Sequence, residues 1–109
     1  MLCAAGGCAG PLAASEAEFR RGDYPAAKDD LAAAEVRARA WAAPERAEYA
    51  LYRGLTLAAL GDVLHGLGWL EQARAAEERR PGLLSAEDAR RLETALDALG
   101  PVVVEGQLR

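Results

Sequence analysis

Two apolar runs at helical spacing meet at Gly61-Asp62, and that junction constrains the fold of this 109-residue chain more than any other feature. Before it, Ala47, Ala50, Leu51, Gly54, Leu57, Ala58 and Leu60 recur at gaps that put one stripe on one helix face. After it, Val63, Leu67, Leu70, Ala73 and Ala76 do the same. Pro44 suits the first turn of the earlier helix, where its missing N–H costs nothing. Gly61 suits the left-handed conformation that ends a helix, Asp62 can cap the next, and Pro81-Gly82 ends that one. Helices joined by so short a turn lie antiparallel and bury facing stripes. A glycine inside a helix costs about 1 kcal/mol against alanine, so Gly54, Gly66 and Gly68 call for a tertiary reason. Close packing supplies one, with Gly54 and Ala58 of the first helix facing Gly66 and Ala73 of the second.

The stretch from Tyr49 to Leu70 is long enough to span a bilayer, but Arg53, Asp62 and His65 interrupt it. Charge at the centre of a span costs several kcal/mol, which argues against a membrane helix. The length suits one domain, and a β-branched-poor, alanine-rich composition points to an all-α chain. Charged residues make up 28% with both signs interleaved and a net charge of −4. No basic patch with aromatics offsets that charge, which argues against nucleic acid as a partner. The richness in Ala, Gly, Arg and Pro is of a kind associated with GC-rich bacterial genomes.

The first third repeats the central pattern in shorter, more polar form. Leu12 to Arg21 reads as a helix with Ala14, Ala17 and Phe19 inward, closed by Gly22-Asp23. Pro25 opens a second helix to about Arg39, burying Ala27, Leu31 and Ala34 and leaving Asp29, Asp30, Glu35, Arg37 and Arg39 outside. Gly22 and Gly61 stand 39 residues apart (22 to 61), and at the same offset Ala27 matches Gly66, Leu31 matches Leu70 and Ala34 matches Ala73. A helix-turn-helix repeated in this way resembles the tetratricopeptide family, whose period is about 34 residues. In that family a small residue early in the second helix is followed by an aromatic or leucine and then an alanine, the places held here by Ala27, Leu31, Ala34 and by Gly66, Leu70, Ala73. The small residue of the first helix is Ser15 in one copy and Gly54 in the other. The match covers residues 12–81, and the closing prolines, Pro44 and Pro81, come late.

That resemblance implies two antiparallel hairpins plus a C-terminal capping helix, five helices over residues 11–100. It implies a protein-interaction scaffold, not an enzyme, with another protein or a peptide as partner. The first helix of each repeat would line a concave surface, presenting Glu16, Phe19, Arg20, Leu51, Leu55 and Ala58. So apolar a surface is covered either by a partner or by a second copy of the chain.

At the amino end, residues 1–10 are small, apolar and uncharged. Ala5-Gly6-Gly7-Cys8 resembles a bacterial lipobox, with alanine where leucine is usual, and implies Cys8 as a lipid-bearing residue of an envelope protein. A flexible start with two free thiols is the alternative, with the chain then in the cytoplasm. A lipid anchor is the sole membrane attachment expected. At the carboxyl end Ser85 suits an N-cap, with Asp88 reaching back as its capping-box partner. Leu92, Ala95, Leu96 and Leu99 form a stripe that Gly100-Pro101 is expected to stop, leaving residues 101–109 as a loose tail.

Catalytic signatures are lacking. His65 has Asp62 three residues before it but no convergent partners, so it reads as an exposed helix histidine. Trp41 and Trp69 read as fillers between helices. Tyr49 and Tyr52, three apart, cannot both enter the hairpin stripe, so one faces a neighbouring helix and the other is free to mark a binding surface. Arg79-Arg80 complements a helix dipole. Two cysteines without His or acidic neighbours fall short of a metal site, and no cofactor cradle is present.

Overall fold

The computed structural model describes residues 10–107, with side chains over residues 10–100. Cys8 and the lipobox-like segment lie outside the described residues. The fold is all-α, with no strand among the described residues: α1 (Ala13–Arg20), α2 (Tyr24–Ala38), α3 (Ala43–Ala59), α4 (Val63–Arg79) and α5 (Ala86–Gln107). α1 with α2 and α3 with α4 make antiparallel hairpins, and α5 packs on α4 and α3. No helix among the described residues is long and apolar enough to cross a membrane.

The two Gly-Asp junctions are closed in the same way. Gly22 and Gly61 take φ of 80° and 94°. The next N–H reaches back across each glycine, from Asp23 to the Glu18 carbonyl (2.8 Å) and from Asp62 to the Leu57 carbonyl (2.9 Å). These are the bonds of a Schellman closure, which satisfies carbonyls left over at a helix end. The caps then diverge. Asp23 accepts from the Ala26 N–H at 3.4 Å. Asp62 holds the N-cap position but caps nothing, because its carboxylate pairs with His65 Nδ1 at 2.9 Å instead. That pair is exposed.

α3 is the axis of the fold. Where one inward stripe was expected, α3 buries residues nearly all round, as a helix contacting all four others must. Gly54 and Gly66 let α3 and α4 touch backbone to backbone. A Cβ on Gly66 would stand 2.8 Å from the Gly54 carbonyl oxygen and 3.0 Å from the Ala58 nitrogen. Gly68, which also seemed to need a packing reason, faces open space. Toward α2, the Tyr49 hydroxyl donates to the Leu31 carbonyl at 2.6 Å, and its ring meets Trp41 and Trp69 edge-on. Arg53 stacks 4.7 Å from the Trp69 ring and pairs with Glu35 at 2.7 Å. Toward α5, the Tyr52 hydroxyl donates to Asp88. Both tyrosines are therefore buried, Tyr49 bonded toward α2 and Tyr52 toward α5.

Three sequence expectations are corrected here. α1 turns Leu12 and Ser15 inward and leaves Ala14 exposed, because the inner stripe begins one residue before the helix does. Ser15 is buried as the small residue expected there. At α5, Ser85 caps the helix by accepting from the Asp88 N–H, but the Asp88 carboxylate turns to Tyr52 and Arg91, so no capping box forms. Finally, α5 does not stop at Gly100-Pro101 but continues to Gln107, so residues 101–107 are helix, not loose tail. A proline removes one N–H from the ladder without forbidding the next turn, and the helix passes through it at that cost.

Two buried side-chain oxygens among the described residues have no hydrogen-bond partner, Glu18 Oε1 and Thr56 Oγ1. Thr56 is fully buried in the last turn of α3, and its hydroxyl is the uncharged one of the two. A stranded buried hydroxyl costs about 1–3 kcal/mol, so Thr56→Val, nearly the same shape without the polar atom, should stabilise the fold by about 1 kcal/mol. Urea unfolding measures it; a loss of stability would show that Thr56 has a partner after all.

Candidate interaction groove

Helix alternation places α1, α3 and α5 side by side, running in the same sense. Between them lies a groove of about 580 Å³ lined by Phe19, Leu55, Glu87, Arg90, Arg91, Thr94, Ala95 and Ala98. Its apolar floor is Phe19, Leu55 and Ala95, each half-buried. Phe19 is held by ring contacts with Tyr52 at 5.6 Å, edge-on, and with Tyr24 at 5.4 Å. These keep an apolar side chain fixed while one of its faces stays open to the groove.

One or two turns earlier along each helix sits a carboxyl cluster. Oxygens of Glu16 (α1), Glu48 (α3) and Asp88 (α5) lie within 4.8 Å of one another. Asp88, the buried member, accepts from Tyr52 Oη at 2.8 Å and from Arg91 at 3.0 Å, and Arg91 also pairs with Glu87 at 2.6 Å. Arg91 thus balances Asp88 and leaves Glu16 and Glu48 facing each other. Burial first, then the charges of Glu16 and Asp88, push the Glu48 carboxyl up to about 7. Burial likewise raises Glu16, opposed chiefly by Arg20. The Tyr52 phenol is pushed well above its ordinary range by burial and by its bond to Asp88. Near neutral pH one proton can be held between Glu16 and Glu48, fastening α1 to α3 by a hydrogen bond between carboxyls. The Arg91 guanidinium on Asp88 opposes a cation in this cluster, so the arrangement suits proton sharing better than metal binding.

Of the expected concave-face residues, the structure brings Phe19 and Leu55 together in the groove and places Glu16 in the carboxyl cluster beside it. Arg20 is exposed on the same end of α1. Leu51 is fully buried and belongs to the core, so it has no surface to offer a partner. Ala58 faces α4, within contact of Gly66. The resemblance that grouped Leu51 and Ala58 with Leu55 on a concave face cannot separate the sides of a helix surrounded by neighbours. Arg90, Thr94, Ala95 and Ala98 on the α5 wall were not anticipated; the i, i+4 spacing of Arg90, Thr94 and Ala98 along the back of the capping helix is the signal that was available.

Comparison with protein-family models, curated proteins and solved structures gives no match.

Proposed function

We propose that the chain is a protein-interaction scaffold of tetratricopeptide-like type, holding an apolar segment of another protein or a peptide in the groove between α1, α3 and α5. The observation that carries this is the half-open Phe19–Leu55 floor, gripped from below by Tyr52 and walled by α5. An anchored aromatic beside an aliphatic residue, ringed by polar groups, is the usual makeup of a contact that contributes most of a binding energy. No catalysis is assigned to the groove, and the carboxyl cluster serves packing.

Self-association is the second reading. Leu51 is withdrawn into the core, which shrinks the apolar area of the groove. Leu64, 67% exposed on α4, supplies a different apolar contact that a second copy could cover. Light scattering on the wild type, Leu55→Asp and Leu64→Glu separates the readings. The scaffold predicts a monomer whose captured partner is lost, by at least about tenfold in affinity, on Phe19→Ala or Leu55→Asp. A stable dimer broken by either charged variant supports self-association instead.

An envelope tether through a lipid on Cys8 accompanies the scaffold reading. Mass spectrometry on the protein made from a gene extended upstream tests it; an unmodified Cys8 removes the tether and leaves the groove untouched.

A further inference from the structure

On the opposite side of α3 from the groove, two adjoining cavities run between α2, α3, α4 and the turn after α4. One, of about 380 Å³, is lined by ten residues that include Arg46, Gln72, Arg79 and Arg80 but no carboxylate. The other, of about 310 Å³, shares Arg46, Ala50 and Gln72 with it and adds Arg39, Tyr49, Trp69 and one carboxylate, Glu35, which is paired with Arg53 and Arg39. Arg46, Arg79 and Arg80 form no ion pair among the described residues, in a chain whose net charge is −4. Two acids of the adjoining α4 turn are engaged elsewhere. Glu77 accepts from the Gly82 and Leu84 N–H groups, and Glu78 pairs with Arg74. Glu45 lies on the first turn of α3 but does not line the cavity. That first turn, which reaches the cavity at Ala43, has no side-chain cap. The rest of the wall is alanine and Leu83, which leaves room beside the guanidinium groups for an uncharged body.

The geometry points to an anion site in which Arg46, Arg79 and Arg80 bind the phosphoryl group of a small organic phosphate or of a lipid headgroup. Guanidinium groups suit this role because they stay charged and offer paired N–H donors to paired oxygens. Three cations with no carboxylate among the residues lining the first cavity match a group carrying about two negative charges at neutral pH. Gln72 adds a neutral donor at the same wall. The site is independent of the groove reading, since no residue lines both.

The test is calorimetric titration of the full chain with inorganic pyrophosphate, beside sedimentation with phosphatidylcholine vesicles with and without phosphatidic acid. Arg46→Gln and the Arg79→Gln/Arg80→Gln pair are the informative variants, because these arginines are exposed and their loss leaves the core unchanged. Arg37→Gln is the control of equal charge for Arg46→Gln, and Arg21→Gln/Arg37→Gln for the pair, both residues being exposed and lining neither cavity. Pyrophosphate binding weakened at least about tenfold by the cavity variants, and not by the controls, supports the site. Binding to phosphatidic acid vesicles that pyrophosphate displaces and the same variants abolish assigns the phosphoryl group to a lipid; pyrophosphate binding without vesicle binding assigns it to a soluble ligand. Failure of both probes to bind, or equal binding by wild type and cavity variants, overturns the proposal. So does binding that responds equally to the controls, which would reduce the effect to net charge.

Discussion

Gly66→Ala is expected to destabilise the fold by about 2 kcal/mol, although alanine is the better helix former. The new methyl would meet the Gly54 carbonyl oxygen at 2.8 Å and the Ala58 nitrogen at 3.0 Å, both backbone atoms that cannot swing aside. α3 and α4 must then separate, and every contact along their seam loosens with them. Gly68→Ala, two residues on in the same helix, should do the reverse. Its methyl would meet nothing within 4 Å, so the propensity gain of about 1 kcal/mol stands alone. Urea unfolding of the two variants measures both signs. A Gly66→Ala protein as stable as the wild type would mean that the helices do not touch where the structure brings them together.

Stability should fall as pH rises from 5 to 8, contrary to the habit of proteins held by ionised carboxylates. In the folded chain Glu48 releases its proton near 7, against an ordinary value of 4.5. The folded state therefore binds the proton more tightly than the unfolded chain does. The associated stability is fully present below about 4.5 and is lost as pH passes through 7. Solvent reaching the half-buried carboxyl screens the effect and leaves about 1–2 kcal/mol. Glu16, raised in the same direction, adds to it. Glu35 and Glu77 act oppositely, being held below the ordinary range by Arg53 and by backbone N–H groups respectively, but their contribution is lost only at acid pH. Glu48→Gln keeps a hydrogen-bonding group and removes the charge. It should raise stability at pH 8, change little at pH 5, and flatten the profile between them. A wild type more stable at pH 8 than at pH 5 would contradict the shared proton.

The backbone plan was legible because its signals are local. Gly22-Asp23 and Gly61-Asp62 each combine a residue free to take positive φ with one suited to an N-cap, and both became helix junctions. Gly54 and Gly66 stood out as glycines at a cost inside helices, and they proved to be the contact between α3 and α4. Gly68 carried the same signal without the contact, so the rule overreached by one residue. What stayed hidden depends on residues distant in sequence. Tyr52 finds Asp88 36 positions later, and nothing in the spacing of either marks the pair. Glu48 carries no local signal, and only the packing of α1 and α5 brings Glu16 and Asp88 beside it. Arg79-Arg80 had a sufficient local explanation in the helix dipole, which concealed their meeting with Arg46 across the α3–α4 hairpin. Pro101 shows a local stop signal overridden: α5 continues past it to Gln107.

A NOESY spectrum of the labelled protein tests the hairpin array most directly. The account predicts cross-peaks between the α-protons of Gly54 and Gly66, which join α3 to α4, and between the rings of Phe19 and Tyr52, which join α1 to α3 beneath the groove. Absence of both, with sequential helical contacts running unbroken from Leu60 through Val63, would contradict it.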